Sequence, residues 1–184
     1  EQHDHYIKQT YRNRCTIAGP DGELALSIPT VKPDTLKCPM KDIRISDHGN
    51  WRHLHWNAIE SAYNNTPFFE YYKDDFRPFY EKKYEFLIDF NEEICRLVCQ
   101  LIDIQPNIER TSAYKMEFSA EETDFRESIH PKKDFRTTDP EFSPQPYYQV
   151  FESKLGFLPN LSIIDLLFNM GPESLLVLKK PPRL

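Results

Sequence analysis

The sequence predicts one domain of the α/β or α+β class, in which a helical layer covers a small mixed sheet. Three observations support this prediction: a turn motif between two apolar arms near the start, three helical patterns between residues 50 and 102, and a mostly apolar helical pattern at residues 162–170. A chain of 184 residues has the length of one ordinary domain and can bury a full core.

A β-hairpin is predicted over residues 11–30. The motif Gly-Pro-Asp-Gly at residues 19–22 separates two apolar arms. Pro20 fixes its own φ and Gly22 permits a positive φ, which are the properties that a tight turn needs. The two arms of the predicted hairpin are residues 14–17 and 24–28.

Two further strands are predicted at residues 43–46 and 108–112, where they would complete the sheet. The chain starts with a polar segment at residues 1–6 and without a methionine. A first strand of the domain could therefore be missing.

The first predicted helix begins at Trp51, with Asn50 as the residue whose side chain caps the first turn. Apolar residues recur at spacings of three, four and seven, which is typical of one helical face. His55 lies in the middle of this apolar face. The face consists of Trp51, Leu54, Ala58, Ile59 and Ala62.

A second and a third helix follow. Thr66 is predicted to cap the second helix, with Pro67 at its first position, and Pro78 is predicted to end or bend it. Residues 84–102 form the third helix, with one wide apolar face. The second helix presents an aromatic stripe of Phe68, Tyr72, Phe76 and Phe79.

The C-terminal part predicts further helical cover over residues 162–178. Ser162 and Asp165 have the spacing of a capping box, and Gly171 provides a helix end. Apolar residues occur almost all round the helix predicted at residues 162–170, so this helix should be buried on most sides.

A long loop is predicted at residues 129–146, which are polar and rich in proline. Its length suggests a lid or a mobile segment, with Phe135 and Phe142 as possible anchors. Residues 147–155 could form a short helix after this loop.

Composition limits the functional classes. The net charge of −6 argues against non-specific binding to nucleic acid, which needs a basic surface. No apolar run reaches the length of a membrane span and no signal-peptide pattern opens the chain, so a cytoplasmic protein is expected. The four cysteines form no CxxC pair, which favours buried free thiols over a zinc site. We expect no metal and no cofactor.

Several segments resemble the WbqC-like protein family. The string WRHLHWNAIESAY at residues 51–63 is similar to one of its motifs, and so is the string FLPNLSIIDLLFNMGPES at residues 157–174. Near the start, residues 11–17 resemble the family's aromatic-Arg-Asn-Arg strand, and residues 27–31 resemble the strand that follows. The resemblance covers most of the chain.

The resemblance implies a role in surface-polysaccharide synthesis of the O-antigen type, because genes for this family often accompany such pathways. A transferase acting on a nucleotide-sugar or another anionic donor is the function that this implies. The sequence departs from the family pattern in two places. The usual first strand is absent, and the proline-rich loop at residues 129–146 stands where many members have a glycine-rich segment.

Arg12 and Arg14 are the predicted contacts for the anion, together with Asn13 between them. We expect the two arginines to lie on one face of a strand, where two guanidinium groups suit a phosphate or a carboxylate. The alternative is a pair of structural salt bridges in an acidic protein.

His55 is the predicted general base, with Asp165 as the residue that orients it. The alternatives are a hydrogen-bonded core histidine and a helix-cap aspartate. Asn169 could contact a ligand or cap the helix before Gly171, and Trp51 could stack on a sugar or pack in the core. This catalytic hypothesis requires Arg12, Arg14 and His55 to open onto the same cleft.

Three functions follow from these residues. The first is a transferase in polysaccharide synthesis. The second is a non-catalytic protein that binds an anionic ligand, and the third is a scaffold protein of a biosynthetic complex. A homo-oligomer is compatible with each of them.

Overall fold

The computed structural model describes residues 2–35, 37–126, 129–138 and 143–179. It confirms the predicted class, since a small sheet is combined with several helices in one domain. Phe142 lies outside the described residues, so its predicted role as an anchor stays untested.

The hairpin is confirmed. Strand β1 (Arg14–Gly19) pairs antiparallel with strand β2 (Gly22–Ser27), and Gly19 opposite Gly22 closes the turn. Gly22 has φ of +126°, a conformation that favours glycine. The side chains of Ile17 and Leu26 are buried and bring the hairpin onto the helices.

Isolated bridges lie at residues 43–46, where a further strand was predicted. Arg44 pairs with Phe86 and Ile45 pairs with Thr30, so this segment forms two bridges but no strand of the sheet. The described residues form a two-stranded antiparallel sheet. The strand predicted at residues 108–112 is wrong: this segment has no regular secondary structure and is exposed, and Ile108 buries too little apolar surface to dock it as an edge strand.

The helices of the central region follow the predicted periodicity. The four helices are α1 (Trp51–Tyr63), α2 (Phe69–Phe76), α3 (Pro78–Glu81) and α4 (Leu87–Leu101). Pro78 separates α2 from α3, as predicted. Leu54 is 59% exposed and does not belong to the buried face of α1, which instead includes Trp56 and Tyr63.

Both predicted side-chain caps in this region are wrong. Asn50 ends a short 3-10 turn (His48–Asn50) with φ of +49°, and its side chain makes no capping bond to α1. The Thr66 hydroxyl donates to the carbonyl of Tyr63, so it closes the end of α1 and does not start α2.

Two hydrophobic clusters form the core. In the first, the ring of Phe168 packs against the rings of Tyr63, Phe69 and Phe76 at centroid distances of 5.2, 5.2 and 5.4 Å. The second lies at the N-terminal end of α1, where Trp51 packs against Phe90. Tyr80, Ile94 and Leu97 pack against both clusters and connect them.

Short elements complete the fold. Besides the 3-10 turn at His48–Asn50, one such turn (Met40–Asp42) precedes it and another (Gly171–Glu173) follows the helix at Ile163–Met170. The helix predicted over residues 147–155 is limited to its last four residues. The remaining helices are α5 (Phe135–Thr138), α6 (Glu152–Leu155), α7 (Ile163–Met170) and α8 (Ser174–Lys179).

Gly171 ends α7 with φ of +54°, as its sequence position predicts. A Cβ atom here would lie 2.5 Å from the ring of Phe68. The glycine therefore permits both the turn and the close approach of α7 to the start of α2.

Candidate ligand cavity

A cavity of about 870 Å³ lies between the N-terminal segment, one face of α4, residues 108–126 and Ile129. Its volume falls within the range of small-molecule sites in proteins. The N-terminal segment contributes residues 2–4 and 10–12, which form turns and bends.

One face of helix α4 packs in the core, and a neighbouring face lines this cavity. Ile88, Asn91, Glu92 and Cys95 recur at helical spacing and line the wall, whereas Leu87 and Phe90 point into the core. The Asn91 amide donates to the backbone carbonyl of Arg12 at 2.8 Å. This bond fixes the N-terminal segment against α4.

A buried cluster of charged groups forms one wall of the cavity. The carboxylate of Asp4 is 3.6 Å from Nη2 of Arg12, and its Oδ1 accepts a hydrogen bond from Nη1 of Arg126 at 3.1 Å. Asp4 and Arg12 are 7% and 8% exposed. We call Asp4, Arg12, Asn91 and Arg126 the cavity cluster.

Arg126 joins residues 108–126 to the N-terminal segment. Its guanidinium group lies 4.9 Å from the ring centroid of Tyr114 and 4.7 Å from that of Phe118. It also pairs with Asp124, and this pairing lowers the pKa of Asp124 to about 2. Arg110 pairs with Glu92 of α4 as a second attachment of the segment.

The cavity wall is more positive than the chain as a whole. It contains five cationic and four acidic side chains, whereas the chain carries a net charge of −6. The cationic side chains are Arg12, Arg96, Arg110, Lys115 and Arg126, and the acidic ones are Asp4, Glu92, Glu109 and Asp124. Each of these cations already forms an ion pair with a carboxylate, so an anion bound here would join or displace an existing ion pair.

Arg14 and His55 meet at a different place, next to Ser27. The Arg14 guanidinium donates to the Ser27 hydroxyl at 3.0 Å, and His55 hydrogen-bonds to the backbone of Ser27. Asn13 donates its amide to the carbonyl of Ile28 at 2.9 Å and so holds the end of the hairpin.

His55 is buried on α1, edge-on to the rings of Trp51 and Tyr80. Burial lowers its pKa to about 4, although the hydrogen bond to Ser27 raises the pKa in part. The imidazole is therefore neutral at pH 7. Trp51 is also buried, and its indole N–H donates to the carbonyl of Ser46 at 3.0 Å.

Asp165 occupies the centre of a second polar cluster. Its carboxylate accepts hydrogen bonds from the hydroxyls of Tyr63 at 2.9 Å and Tyr147 at 2.7 Å, and from the amide of Gln149 at 3.3 Å. Burial raises the pKa of Asp165, although the three hydrogen bonds act in the opposite direction.

Asn169 connects this second cluster to the backbone. Its amide donates to the carbonyl of Asp165 at 2.7 Å, and its oxygen accepts from the N–H of Val150 at 3.1 Å. The Tyr63 hydroxyl also accepts from the N–H of Ala18 at 3.2 Å, so the cluster ties α7 to both α1 and β1. We call Tyr63, Tyr147, Gln149, Asp165 and Asn169 the C-terminal clamp.

The structure thus distributes the predicted site residues over three places. Arg12 lines the cavity, Arg14 and His55 meet at Ser27, and Asp165 and Asn169 belong to the clamp. Arg14 and His55 do not line the cavity, so the cleft that the catalytic hypothesis requires is not this cavity. The functional roles of these residues stay predictions.

Sequence reasoning missed Asp4, Asn91 and Arg126. Asp4 and Arg126 lie in segments without periodicity, and 122 positions separate them. Asn91 lies on the polar face of α4, where nothing distinguishes it from a solvated residue. No pattern in a single sequence would have found these contacts.

Within the described ranges, no three His, Cys, Asp or Glu side chains come together as metal ligands would. The prediction of buried thiols is wrong, since Cys95 is exposed and Cys15, Cys38 and Cys99 are half-buried. Partial desolvation and the neighbouring Cys99 thiol raise the pKa of Cys95. No helix in the described part of the chain is long and apolar enough to cross a membrane.

The fold and the cavity define an α+β protein with a cavity of the size of a small-molecule site. The sequence model of the WbqC-like protein family matches residues 2–132, and the chain belongs to this family. It is also similar to the uncharacterized protein Rv1507c of Mycobacterium tuberculosis (strain ATCC 25618 / H37Rv), with 24% identity over 189 residues, 92% of this chain and 81% of that protein. No solved structure gives a significant match.

Proposed function

We propose that this protein binds an anionic sugar donor, such as a nucleotide-sugar, in the cavity and takes part in transferring its sugar. The observation that carries the proposal is the convergence of Arg12 and Arg126 at one wall of a cavity of about 870 Å³. Guanidinium groups offer several N–H donors in a plane, which suits phosphate oxygens.

Two further features support binding of a phosphorylated sugar. Arg96, Arg110 and Lys115 are more exposed than Arg12, so they offer positive charge nearer to the solvent. The side chains of Tyr11, Tyr114 and Phe118 supply apolar surface to the same wall. Membership of the WbqC-like family agrees with a role in surface-polysaccharide synthesis, and a cytoplasmic homo-oligomer belongs to the same proposal.

Non-catalytic binding of an anionic ligand is the second candidate function. The placement of His55 favours it, because this imidazole is buried beside Ser27 and its pKa is lowered to about 4. Such a group is a weak base, and general-base catalysis is most efficient when the pKa lies near the working pH.

The first experiment is a thermal-shift assay of the purified protein with UDP-glucose, dTDP-glucose, GDP-mannose and CMP-sialic acid. A ligand that binds only the folded state raises the melting temperature. We expect at least one nucleotide-sugar to stabilise the protein and Arg12→Gln to abolish the shift. Arg44→Gln is the matched control, since Arg44 is an exposed arginine paired with Glu85 away from the cavity.

If none of these donors shifts the melting temperature of the wild-type protein, the binding proposal fails. If a donor binds, the two candidate functions are separated by incubating it with an acceptor saccharide and measuring release of the nucleotide. His55 does not line the cavity, so His55→Gln tests the predicted base directly: transfer retained by this variant would exclude the catalytic role, and transfer lost with binding intact would support it. Binding without any release favours the non-catalytic candidate.

A further inference from the structure

The two oxygens of the Asp4 carboxylate have different environments. Oδ1 accepts a hydrogen bond from Arg126 at 3.1 Å. Oδ2 is buried and accepts no hydrogen bond from any described residue, and its 3.6 Å distance to Nη2 of Arg12 exceeds hydrogen-bond range. The Asp4 side chain is 10% exposed and lines the cavity.

Oδ2 itself has almost no accessible surface, so a ligand in the cavity reaches it only when a side chain of the wall moves, and the chemistry of the oxygen restricts which ligand group it then accepts. A carboxylate oxygen is an acceptor, so its partner must be a donor. Buried oxygens in proteins are nearly always hydrogen-bonded. A phosphate oxygen would meet like charge here, whereas a hydroxyl group would satisfy the oxygen.

We propose that Asp4 is a specificity-determining residue, and that its Oδ2 accepts a hydrogen bond from a hydroxyl group of the bound sugar. This inference rests on the proposed function, because it assigns the sugar part of a ligand whose anionic part contacts the guanidinium groups. It adds the property that the cavity selects a hydroxylated sugar donor over a simple anion.

The distances within the cavity cluster indicate which hydroxyl is recognised. Oδ2 of Asp4 and Nη2 of Arg12 are 3.6 Å apart. A ligand that contacts both atoms must carry its hydroxyl and its anionic group only a few bonds apart. In a glycosyl phosphate, the hydroxyl on carbon 2 is the one adjacent to the carbon that bears the phosphate, so this hydroxyl fits the geometry.

A purely structural role of Asp4 would have a different consequence. Asp4 also connects Arg12 of the N-terminal segment with Arg126 of residues 108–126. If this connection were its whole role, a substitution would weaken every ligand of the cavity by the same factor. A role in sugar recognition weakens only the ligands that carry the hydroxyl.

The experiment measures dissociation constants by calorimetry for UDP-glucose, dTDP-glucose and GDP-mannose, each against its nucleoside diphosphate. We expect Asp4→Asn to weaken at least one nucleotide-sugar by about tenfold to a hundredfold, the range of a hydrogen bond to a charged group. The nucleoside diphosphate should change by less than about threefold, a factor well below the contribution of one such bond. A nucleotide-sugar analogue with fluorine in place of the carbon-2 hydroxyl should also bind weakly to the wild-type protein. Its dissociation constant should match that of the unmodified nucleotide-sugar with Asp4→Asn.

Two further variants control the result. Asp4→Glu keeps the charge but moves the carboxylate, and it should lose the same discrimination. Asp21→Asn removes an exposed carboxylate at the hairpin turn and should change nothing. Melting temperatures of all variants show whether each one is folded.

The outcomes separate this inference from the proposed function. The inference is overturned if Asp4→Asn weakens the binding of nucleotide-sugar and nucleoside diphosphate equally, or weakens neither. In that case the proposed function still holds, provided that nucleotide-sugar binding depends on Arg12. If wild type binds no nucleotide-sugar, both fail together. Loss of discrimination confined to the hydroxylated ligand supports the assignment.

Discussion

The C-terminal clamp and the cavity cluster are both built around a buried aspartate, but they differ in how completely that aspartate is satisfied. Both carboxylate oxygens of Asp165 accept hydrogen bonds from side chains of the clamp. Asp4 has one oxygen bonded to Arg126, and its other oxygen accepts no hydrogen bond from the described residues.

This difference separates a structural role from a ligand-binding role. Closed polar networks in a core hold elements together, because every group already has its partner. An incompletely bonded group beside a cavity has capacity left for a ligand. The comparison therefore assigns stability to the clamp and recognition to the cavity cluster, and each assignment can be tested.

The largest expected effect is on the clamp. Asp165→Ala leaves three donors without their acceptor, and hydrogen bonds to charged groups contribute about 1.5–3 kcal/mol each without being additive. We expect the free energy of unfolding in urea to fall by about 3 kcal/mol or more. Asp21→Ala at the exposed hairpin turn is the control. A loss below about 1 kcal/mol would show that the clamp contributes little to stability.

The second expected effect is a pH dependence caused by His55. Its pKa in the folded protein is about 4, below the value of 6.5 for an ordinary histidine. Between these values the unfolded chain binds a proton that the folded chain does not. The contribution of His55 to stability is therefore complete above pH 6.5 and is lost as the pH falls toward 4. The loss is at most about 3 kcal/mol.

Urea unfolding at pH 7.5 and pH 4.5 measures this effect. His55→Phe keeps an aromatic ring on α1 but removes the titrating group. Over this interval, wild type should lose more stability than His55→Phe. Parallel losses in the two proteins would show that the imidazole is not held in its neutral form.

The third effect concerns the end of α7, next to the clamp. Gly171→Ala combines an unfavourable φ with a methyl group that would lie 2.5 Å from the ring of Phe68. We expect a loss of about 2 kcal/mol in the free energy of unfolding, from strain and overpacking together.

Gly49→Ala is the matched control for this substitution. Gly49 has φ of +77°, but a Cβ atom there would contact nothing within 4 Å. It should therefore show only the backbone cost, about 1 kcal/mol. Equal losses for the two substitutions would remove the steric contribution that we assign to Phe68.

The smallest expected effect on stability belongs to the cavity cluster. Asp4→Asn keeps one oxygen to accept from Arg126 and removes the charge of the incompletely bonded carboxylate. We expect the free energy of unfolding to fall by less than for Asp165→Ala, because the amide oxygen can still accept from Arg126, although Arg12 loses its carboxylate partner. A loss as large as that of the clamp variant would make Asp4 a structural residue and would remove the contrast between the two regions.

Periodicity and turn chemistry were sufficient to predict the hairpin and the helices α1, α4 and α7. Most of the apolar face predicted for each of these elements packs in the core, with Leu54 of α1 as an exception. The segment at residues 108–126 was predicted wrongly at its start, because side-chain contacts and not a repeating pattern hold it in place. Arg126 on Asp4 is the main example.

The same reasoning explains how much of the candidate site was found. Arg12 was identified because it lies in a recognisable motif next to a strand, and the structure places it in the cavity wall. Its neighbours in space come from distant parts of the chain, so no local spacing connects them. Asp165 and Asn169 were identified by their helix position, but the sequence did not reveal that they bind Tyr63 and Val150.

The clamp also determines where this protein can be shortened. The region that matches the family ends at residue 132, before the helix that carries Asp165. A fragment cut there would keep the hydroxyl of Tyr63 without its acceptor, and the aromatic rings of α2 would lose the cover of Phe168. We therefore expect the matched region alone to be less stable than a polypeptide that extends through α7.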